Sequence, residues 1–316
     1  MKKQLLIAAV AATMTSVAFA DISLTGSMKV NYKNTDTNGV TTDTVTQEGD
    51  LVLKGTSGAT TVHVEVSIDA GNEVKADKTS NAGDMSTEDV HMSTTIGAVG
   101  VKVGTWNPAD TIFKGNADRT SGNWILNTDV SGMNVSVEGD SAKSATVVAL
   151  KGSMAGVSGT YKSKSKSNEL YLATDIAGVS ATYAMIDADA ANSSAAAFTL
   201  SKEFNGVTVS YSDVDADSLY KVEGDTAAFG DAIGFMATGD DASSIKIATS
   251  MAGNNVSARM VKVDGLLANG DIDVNTFVVT RPLAGGTTLE VTYTDTDKNG
   301  VTADKEVLDV ELAVKF

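Results

Sequence analysis

The stretch that decides the fold runs from residue 21 to residue 33 and reads DISLTGSMKVNYK. Every second residue is apolar or small, and the residues between them are polar or charged. Successive side chains point to opposite faces of a β-strand, so this pattern predicts one strand with an apolar and a polar face. The apolar face holds Ile22, Leu24, Gly26, Met28, Val30 and Tyr32, and the polar face holds Ser23, Thr25, Ser27, Lys29 and Asn31.

The same alternation returns further along the chain. Residues 61–68 read TVHVEVSI, and residues 310–316 read VELAVKF. In the second of these, Val310, Leu312, Val314 and Phe316 share one face. Helical periodicity is scarce, so the sequence predicts an all-β protein.

Two kinds of connection separate the predicted strands. The short kind contains Gly, which supplies the positive φ that tight hairpin turns need. The long kind is rich in Asp, Asn and Ser, which favour loops. The short turns are TSGA (56–59), IGAVG (96–100), DVSG (129–132), SMAG (153–156), DIAG (175–178), EFNG (203–206), SMAGN (250–254) and PLAGG (282–286). The long connections are NTDTNGVTTDT (34–44), SKSKS (163–167), DADAANSS (187–194), DVDADS (213–218), DGLLANGD (264–271) and TDTDKNG (294–300).

Short turns that alternate with longer polar loops are typical of a transmembrane, antiparallel, up-and-down β-barrel of the outer membrane. With both chain ends on the side of the short turns, eight such turns predict 18 strands. The irregular stretch between Asp215 and Ser244 leaves 16 strands open. A secreted β-sandwich is the alternative, but it would need large apolar side chains in its core, and only 5% of the residues are aromatic.

The first twenty residues predict a secretory signal peptide. Lys2 and Lys3 precede an apolar run, and the segment ends in the A-x-A pattern of residues 18–20. Cleavage after Ala20 would leave residues 21–316 as one domain, and no Pro-rich linker or charge block divides that stretch. The export signal and the barrel pattern together predict the outer membrane of a Gram-negative bacterium.

The composition excludes several classes of function. The chain has no Cys, so disulfides and thiol chemistry are excluded, and its two histidines, His63 and His91, argue against His-based metal clusters and catalytic triads. A net charge of −16 disfavours nucleic acid as a partner. No P-loop, G-x-S-x-G or HExxH motif is present. We therefore expect no enzyme and no cofactor, although a barrel enzyme that uses one of the histidines stays formally open.

Three segments and the chain end carry a family resemblance. They are DISLTGSMKV (21–30), LVLKGTSGATTVHVEVSI (51–68), the run from VGVKVGTW to VSVEG (99–139) and the terminal strand that ends in Phe316. Together they resemble the Gram-negative general porins, which are trimeric diffusion channels of the outer membrane. The resemblance implies 16 strands, an inward-folded third loop and a homotrimer in contact with lipid and lipopolysaccharide. It also implies a C-terminal signal for the barrel insertion machinery, carried by Val310, Leu312, Val314 and Phe316.

The resemblance further implies a constriction lined by opposed charges. A basic wall would face acidic residues of the third loop, and the transverse field would favour small polar solutes over apolar ones. The alternative is that these are ordinary solvated charges in a wide lumen. The candidate residues are Lys29, Lys54, Lys102 and Arg119 on the basic side, and Glu65, Asp110 and Asp118 on the acidic side.

The predicted function is passive diffusion of small hydrophilic solutes and ions. Removing Lys2 and Lys3 with the signal peptide lowers the net charge from −16 to −18, and this surplus must lie away from the lipid face. We therefore expect mild cation selectivity. The alternatives are a substrate-selective channel or a non-channel barrel such as an adhesin.

One acidic stretch has the spacing of a calcium-binding loop. Asp295, Asp297 and Asn299 stand at alternate positions, and Glu306 occupies the twelfth position. Predicted strands rather than helices flank this stretch, so a polar hairpin loop is the default interpretation. Bridging of a divalent cation to lipopolysaccharide phosphates is the alternative.

Overall fold

The computed structural model describes residues 21–69, 84–106, 120–139, 146–191, 193–218, 239–265, 271–298 and 304–316. The predicted signal peptide lies outside these residues. So do the predicted site residues Asp110, Asp118, Arg119 and Asn299. In the part of the chain that is described, no helix has the length and apolar character needed to cross a membrane.

The described residues form strands almost throughout. Their sequence explains this, because β-branched and small residues alternate over most of the chain and the breaks fall at Gly-containing turns. The strands are β1 (Asp21–Thr37), β2 (Val40–Ser57), β3 (Thr60–Asp69), β4 (Asp84–Ile96), β5 (Val99–Trp106), β6 (Thr120–Val130), β7 (Met133–Gly139), β8 (Val147–Met154), β9 (Val157–Ser163), β10 (Ser167–Ile176), β11 (Val179–Ala188), β12 (Ala195–Phe204), β13 (Val207–Ala216), β14 (Asp241–Met251), β15 (Asn254–Asp264), β16 (Ile272–Pro282), β17 (Thr287–Lys298) and β18 (Lys305–Lys315).

These strands close into one antiparallel barrel. Each strand pairs with its neighbours in the chain, and β1 pairs both with β2 and with β18. Over the described residues the barrel has 18 strands. The number 16, which the family resemblance implied, is therefore wrong, whereas the number that follows from eight short turns is correct.

All eight predicted short turns join consecutive strands. In five of them the two central residues both have positive φ, as at Ser131 (52°) and Gly132 (83°) or Asn205 (51°) and Gly206 (81°). This geometry matches the right-handed twist of the flanking strands. The turn after β16 is longer and includes a short 3-10 segment at Ala284–Gly286. Asp21 and Phe316 lie at the same end of the barrel as these turns, which we call the turn end.

The opposite end, which we call the loop end, differs from the sequence-based prediction. Residues 34–44, predicted as a long loop, form the ends of β1 and β2 around a two-residue Asn38–Gly39 turn. The Asp36 carboxylate accepts hydrogen bonds from the Gly39 amide (2.7 Å) and the Thr41 hydroxyl (3.1 Å). The predicted loop at 294–300 is likewise strand as far as Lys298, so Asp295 and Asp297 lie on β17.

The outer face explains why these polar segments remain strands. It carries an apolar band, and a row of aromatic side chains, each about two-fifths exposed, borders that band on the loop side. Beyond the row most outward positions are acidic or polar, as at Asp213 and Asp295, so the polarity of the outer face reverses there. The aromatic row consists of Tyr32, Tyr161, Tyr183, Phe198, Tyr211, Phe277 and Tyr293.

The polarity of the inner face changes in the opposite direction, from polar in the middle of the barrel to apolar near the loop end. Near the loop end of β11 to β16 the inward side chains are small or aliphatic and buried; Val214, Val263 and Val274 are each 1% exposed. They form one hydrophobic cluster, which closes this wall of the interior to solvent. Its members are Ala184, Ile186, Ala195, Ala197, Val214, Ala216, Ala242, Val261, Val263, Ile272 and Val274.

The barrel closes where the first strand meets the last residue. Gly26 and Phe316 exchange two backbone hydrogen bonds, of 2.8 and 3.0 Å. The Phe316 ring covers Gly26, because a Cβ built on Gly26 would lie 2.6 Å from the ring and 2.8 Å from the Asp50 carbonyl oxygen. Gly26 therefore admits the terminal ring at the seam.

We expect Gly26→Val to destabilise the barrel. The added side chain would displace the Phe316 ring and strain the seam between β1 and β18, at a cost of about 1–3 kcal/mol in the free energy of unfolding. Denaturant unfolding of the protein refolded in detergent measures this. Gly49→Ala is the matched control, because its Cβ would meet nothing nearer than 3.6 Å. Equal unfolding free energies for the two variants would contradict the assignment.

Candidate functional site in the barrel interior

A polar wall lines the interior along β17, β18, β1 and β2. Lys29 on β1 and Glu48 on β2 are register partners whose charged groups lie 2.7 Å apart. Both point inward near the middle of β1, yet their side chains are 43% and 42% exposed. Water therefore reaches the barrel interior at this height.

Further acidic side chains surround this pair. The Asn31 amide donates to Asp309 (2.6 Å), the Ser27 hydroxyl to Asp50 (3.2 Å) and the Thr280 hydroxyl to Glu290 (2.9 Å). Glu290 is in register with Glu311 on the next strand. Lys29 is among the residues predicted from the sequence and none of these acids is, although the alternation places each of them on a polar face.

A second polar patch lies on β3 and β4. His63 and His91 are register partners, and their rings stack with centroids 4.7 Å apart and an interplanar angle of 18°. Asp89 adds a carboxylate to the pair. We call His63, Asp89 and His91 the histidine cluster. The presence of only two histidines in the chain argued against such a cluster, but strand pairing brings these two together across 27 intervening residues.

The cluster is flanked by an aromatic side chain and a base from β5. The buried Trp106 ring meets His91 edge-on at 5.9 Å, and the Lys102 Nζ lies 4.3 Å from its ring centroid. The Asn123 amide donates to the Trp106 carbonyl oxygen (3.0 Å) and joins β6 to the patch.

Three of the residues predicted from the sequence meet at this patch. Lys54 is the register partner of His63, the Glu65 carboxylate lies 3.6 Å from the His63 Nε2, and Lys102 contacts Trp106. Lys29 lies apart from them, in its pair with Glu48. Because Asp110, Asp118 and Arg119 lie outside the described residues, the opposed-charge constriction stays a prediction.

A basic pair stands on the wall from β11 to β16, where Glu203 on β12 is an inward acid near the turn end. Lys246 and Arg259 are register partners on β14 and β15, and Ser257 and Thr276 lie at neighbouring inward positions. The described inward residues of β11, β13 and β16 are Ser, Thr, Ala, Val and Ile. This wall therefore concentrates its positive charge at one place, whereas the wall from β17 to β5 mixes both signs.

The acidic surplus of the chain is not concentrated in the described interior. Inward acids such as Glu48, Glu65 and Asp309 are interspersed with inward lysines. Many remaining acids face outward beyond the aromatic row, in register pairs such as Asp273 with Asp297 and Asp295 with Glu306. Two acids of the predicted calcium loop thus lie on the outer surface of a strand, and cation binding there stays a prediction.

Comparisons with known proteins define what this barrel is similar to. No protein-family profile and no curated protein sequence matches the chain. Solved structures do match over nearly the whole length. OccK5 (OpdH) of Pseudomonas aeruginosa is 12% identical, with a TM-score of 0.68 over 95% of this chain and 99% of that one.

Two other solved structures give the same result. OpdK of Pseudomonas aeruginosa, solved with vanillate, is 10% identical, with a TM-score of 0.71 over 94% of this chain and 99% of that one. OccAB4 of Acinetobacter baumannii is 13% identical, with a TM-score of 0.66 over 94% and 98%. At these identities the likeness shows the fold: this chain is a closed antiparallel β-barrel of the architecture found in the Occ and Opd proteins.

Proposed function

We propose that this chain is an outer-membrane channel that lets small hydrophilic solutes cross through a water-filled lumen. The observation that carries the proposal is the Lys29–Glu48 pair, which is inward, near mid-strand and more than two-fifths exposed. A lumen packed with side chains would bury such a pair. The shared fold supports the proposal, because the chain matches the Occ and Opd barrels over nearly its whole length.

The outer face supports placement in a membrane. An apolar band bordered by aromatic side chains is the arrangement that outer-membrane barrels present to lipid. Acids follow beyond the aromatic row, where the outer face would meet water and lipid headgroups. The loop end is then the external side, and the turn end with Asp21 and Phe316 the periplasmic side.

The path for solutes follows the polar half of the interior. The hydrophobic cluster closes the loop end of β11 to β16, so water and solutes would pass along β17, β18 and β1 to β5. This asymmetry favours a second candidate, a substrate-selective channel, over unrestricted diffusion. One of the matching barrels, OpdK, was solved with vanillate, which supports the same candidate.

Further proposals concern the export and assembly of the protein. We propose export by cleavage after Ala20, assembly as a homotrimer, contact with lipopolysaccharide and recognition of the terminal strand by the barrel insertion machinery. On that strand Leu308, Leu312 and Phe316 are exposed on the outer face, as a lipid-facing signal requires. We also propose mild cation selectivity, and we expect the effect to be small because lysines and acids alternate on the inner wall.

Membrane placement predicts a depth-dependent cost of charge. Val291 and Asp295 both face outward on β17, four residues apart and on either side of Tyr293. We expect Val291→Arg to lower the free energy of unfolding of the vesicle-inserted protein by about 2–4 kcal/mol and Asp295→Arg by about 1 kcal/mol or less. Urea titration of vesicle-refolded protein measures both. Equal costs would mean that the band does not face lipid.

The lumen assignment predicts which acids affect ion selectivity. In a planar bilayer with a salt gradient, we expect stepwise conductance and a reversal potential that favours cations slightly. Glu290→Gln with Glu311→Gln should shift that potential toward anions, because both carboxylates face the lumen.

The outer pair provides the control for this measurement. Asp273→Asn with Asp297→Asn also removes two charges, but from the outer face. At 0.1 M salt the Debye length is about 10 Å, so ions in solution weaken the effect of these outer charges on the lumen. Absence of any conductance by the folded protein would contradict the proposed function. An equal shift from both double variants would contradict the assignment of the inner wall.

A further inference from the structure

The histidine cluster brings three metal-ligating side chains to one point on the lumen wall. One ligand atom each from His63, Asp89 and His91 lies within 4.8 Å of the other two. Over the part of the chain that the structure describes, this is the one group of three or more such residues. All three side chains are half-buried, so they are sheltered by the wall and still reachable from the lumen.

Strand register and one irregularity create this arrangement. His63 and His91 are direct partners, and a register shift between Val64 and Val66 breaks the regular pairing beside them. Because of this shift, β4 has two residues opposite the single residue Glu65 of β3, and Asp89 is one of the two. Bulges of this kind re-aim side chains and are frequent beside functional sites.

The neighbouring strand leaves room for the cluster. Gly104 on β5 is the register partner of His91 and has a φ of 141°. A Cβ at Gly104 would lie 2.2 Å from the Val90 carbonyl oxygen and 2.6 Å from the His91 Cα. Any larger residue would push β4 away, so glycine lets β5 approach the strand that carries His91.

The cluster also contains a polar atom without a partner. Among the described residues, the His91 Nδ1 is buried and has no hydrogen-bond partner. A buried imidazole nitrogen in this condition loses its interaction with water and gains nothing in return, which is unfavourable. A metal ion would satisfy this nitrogen directly through coordination.

The ligand set selects the kind of ion. Imidazole nitrogens with a carboxylate suit Zn²⁺, Cu²⁺ and Ni²⁺, whereas Ca²⁺ and Mg²⁺ prefer oxygen ligands alone. Three protein ligands with an open position for water form a common zinc arrangement. With bonds of about 2.0–2.2 Å the ligand atoms of such a site are roughly 3.3–3.6 Å apart, so modest side-chain rotations would close the cluster on an ion.

The surrounding charges are compatible with a cation. Asp89 contributes one carboxylate to the cluster, and the Glu65 carboxylate lies 3.6 Å from the His63 Nε2. Lys54 and Lys102 flank the cluster on the adjacent strands. Lys102 is directed toward the Trp106 ring, 4.3 Å from its centroid. We infer that His63, Asp89 and His91 form a binding site for one divalent transition-metal ion in the lumen wall.

This site goes beyond solute passage and adds a device for controlling it. A bound ion would add two positive charges to the polar half of the lumen, where solutes are expected to pass. The effect on flux rests on the proposed function, whereas metal binding does not. Binding is therefore tested on the protein in detergent, where conduction plays no part.

The test uses full-length protein without a polyhistidine tag, refolded in detergent and titrated with Cu²⁺ or Zn²⁺ by calorimetry. We expect one ion per chain, and His63→Gln or His91→Gln should each weaken binding by at least about tenfold. Asp89→Asn should cause a smaller loss. Electron paramagnetic resonance of bound Cu²⁺ should show coupling to two imidazole nitrogens in the wild type and one in each single histidine variant.

Asp309→Asn is the matched control, because Asp309 is also a lumen carboxylate but is hydrogen-bonded to Asn31 on another part of the wall. Its metal affinity should equal that of the wild type. A double variant that combines His63→Gln with His91→Gln completes the set. The inference is overturned if the wild type binds the metal ion no more tightly than this double variant, or if Asp309→Asn loses as much metal affinity as the histidine variants. Circular dichroism confirms that every variant retains its β-structure.

Discussion

The hydrogen-bond ladder between β1 and β18 turns a row of hairpins into a cylinder. Without it the two strands would each present an unpaired edge, which costs free energy in water and far more in lipid. The register runs from Ser27 with Lys315 to Thr37 with Lys305, and the Gly26–Phe316 contact seals its turn end. Every strand then has two neighbours, and the barrel has an inside and an outside.

Closure gives the two faces different surroundings, and the side chains follow them. In the middle of the barrel the outer face is apolar and the inner face polar and wet. At the loop end of β11 to β16 the polarity of both faces reverses, with acids such as Asp213 and Asp273 outside and valines such as Val214 and Val274 inside. The strands therefore continue past the apolar band with a water-facing exterior and a packed interior, as in a soluble protein.

This reversal shapes the interior as well as the surface. The hydrophobic cluster closes one wall, and the charged groups of β17 to β5 line the other. Solutes in such a lumen would meet alternating acids and lysines along one side, with the histidine cluster and Trp106 among them. Selectivity would then depend on the order of contacts along that wall as well as on the width of the pore.

The sequence by itself determined the all-β class, the closed-barrel architecture, the eight tight turns and the polar face that carries Lys29, Lys54, Glu65 and Lys102. These features are local, because alternation has a period of two residues and a tight turn depends on a few neighbouring residues. Only the tertiary structure decided that residues 34–44 and 294–298 are mostly strand, since Asp and Asn favour loops unless an exposed strand face accepts them. It also decided that His63 contacts His91. Strand register and the irregularity at β4 arise from pairing between distant segments, so they cannot be predicted from the residues of either segment alone.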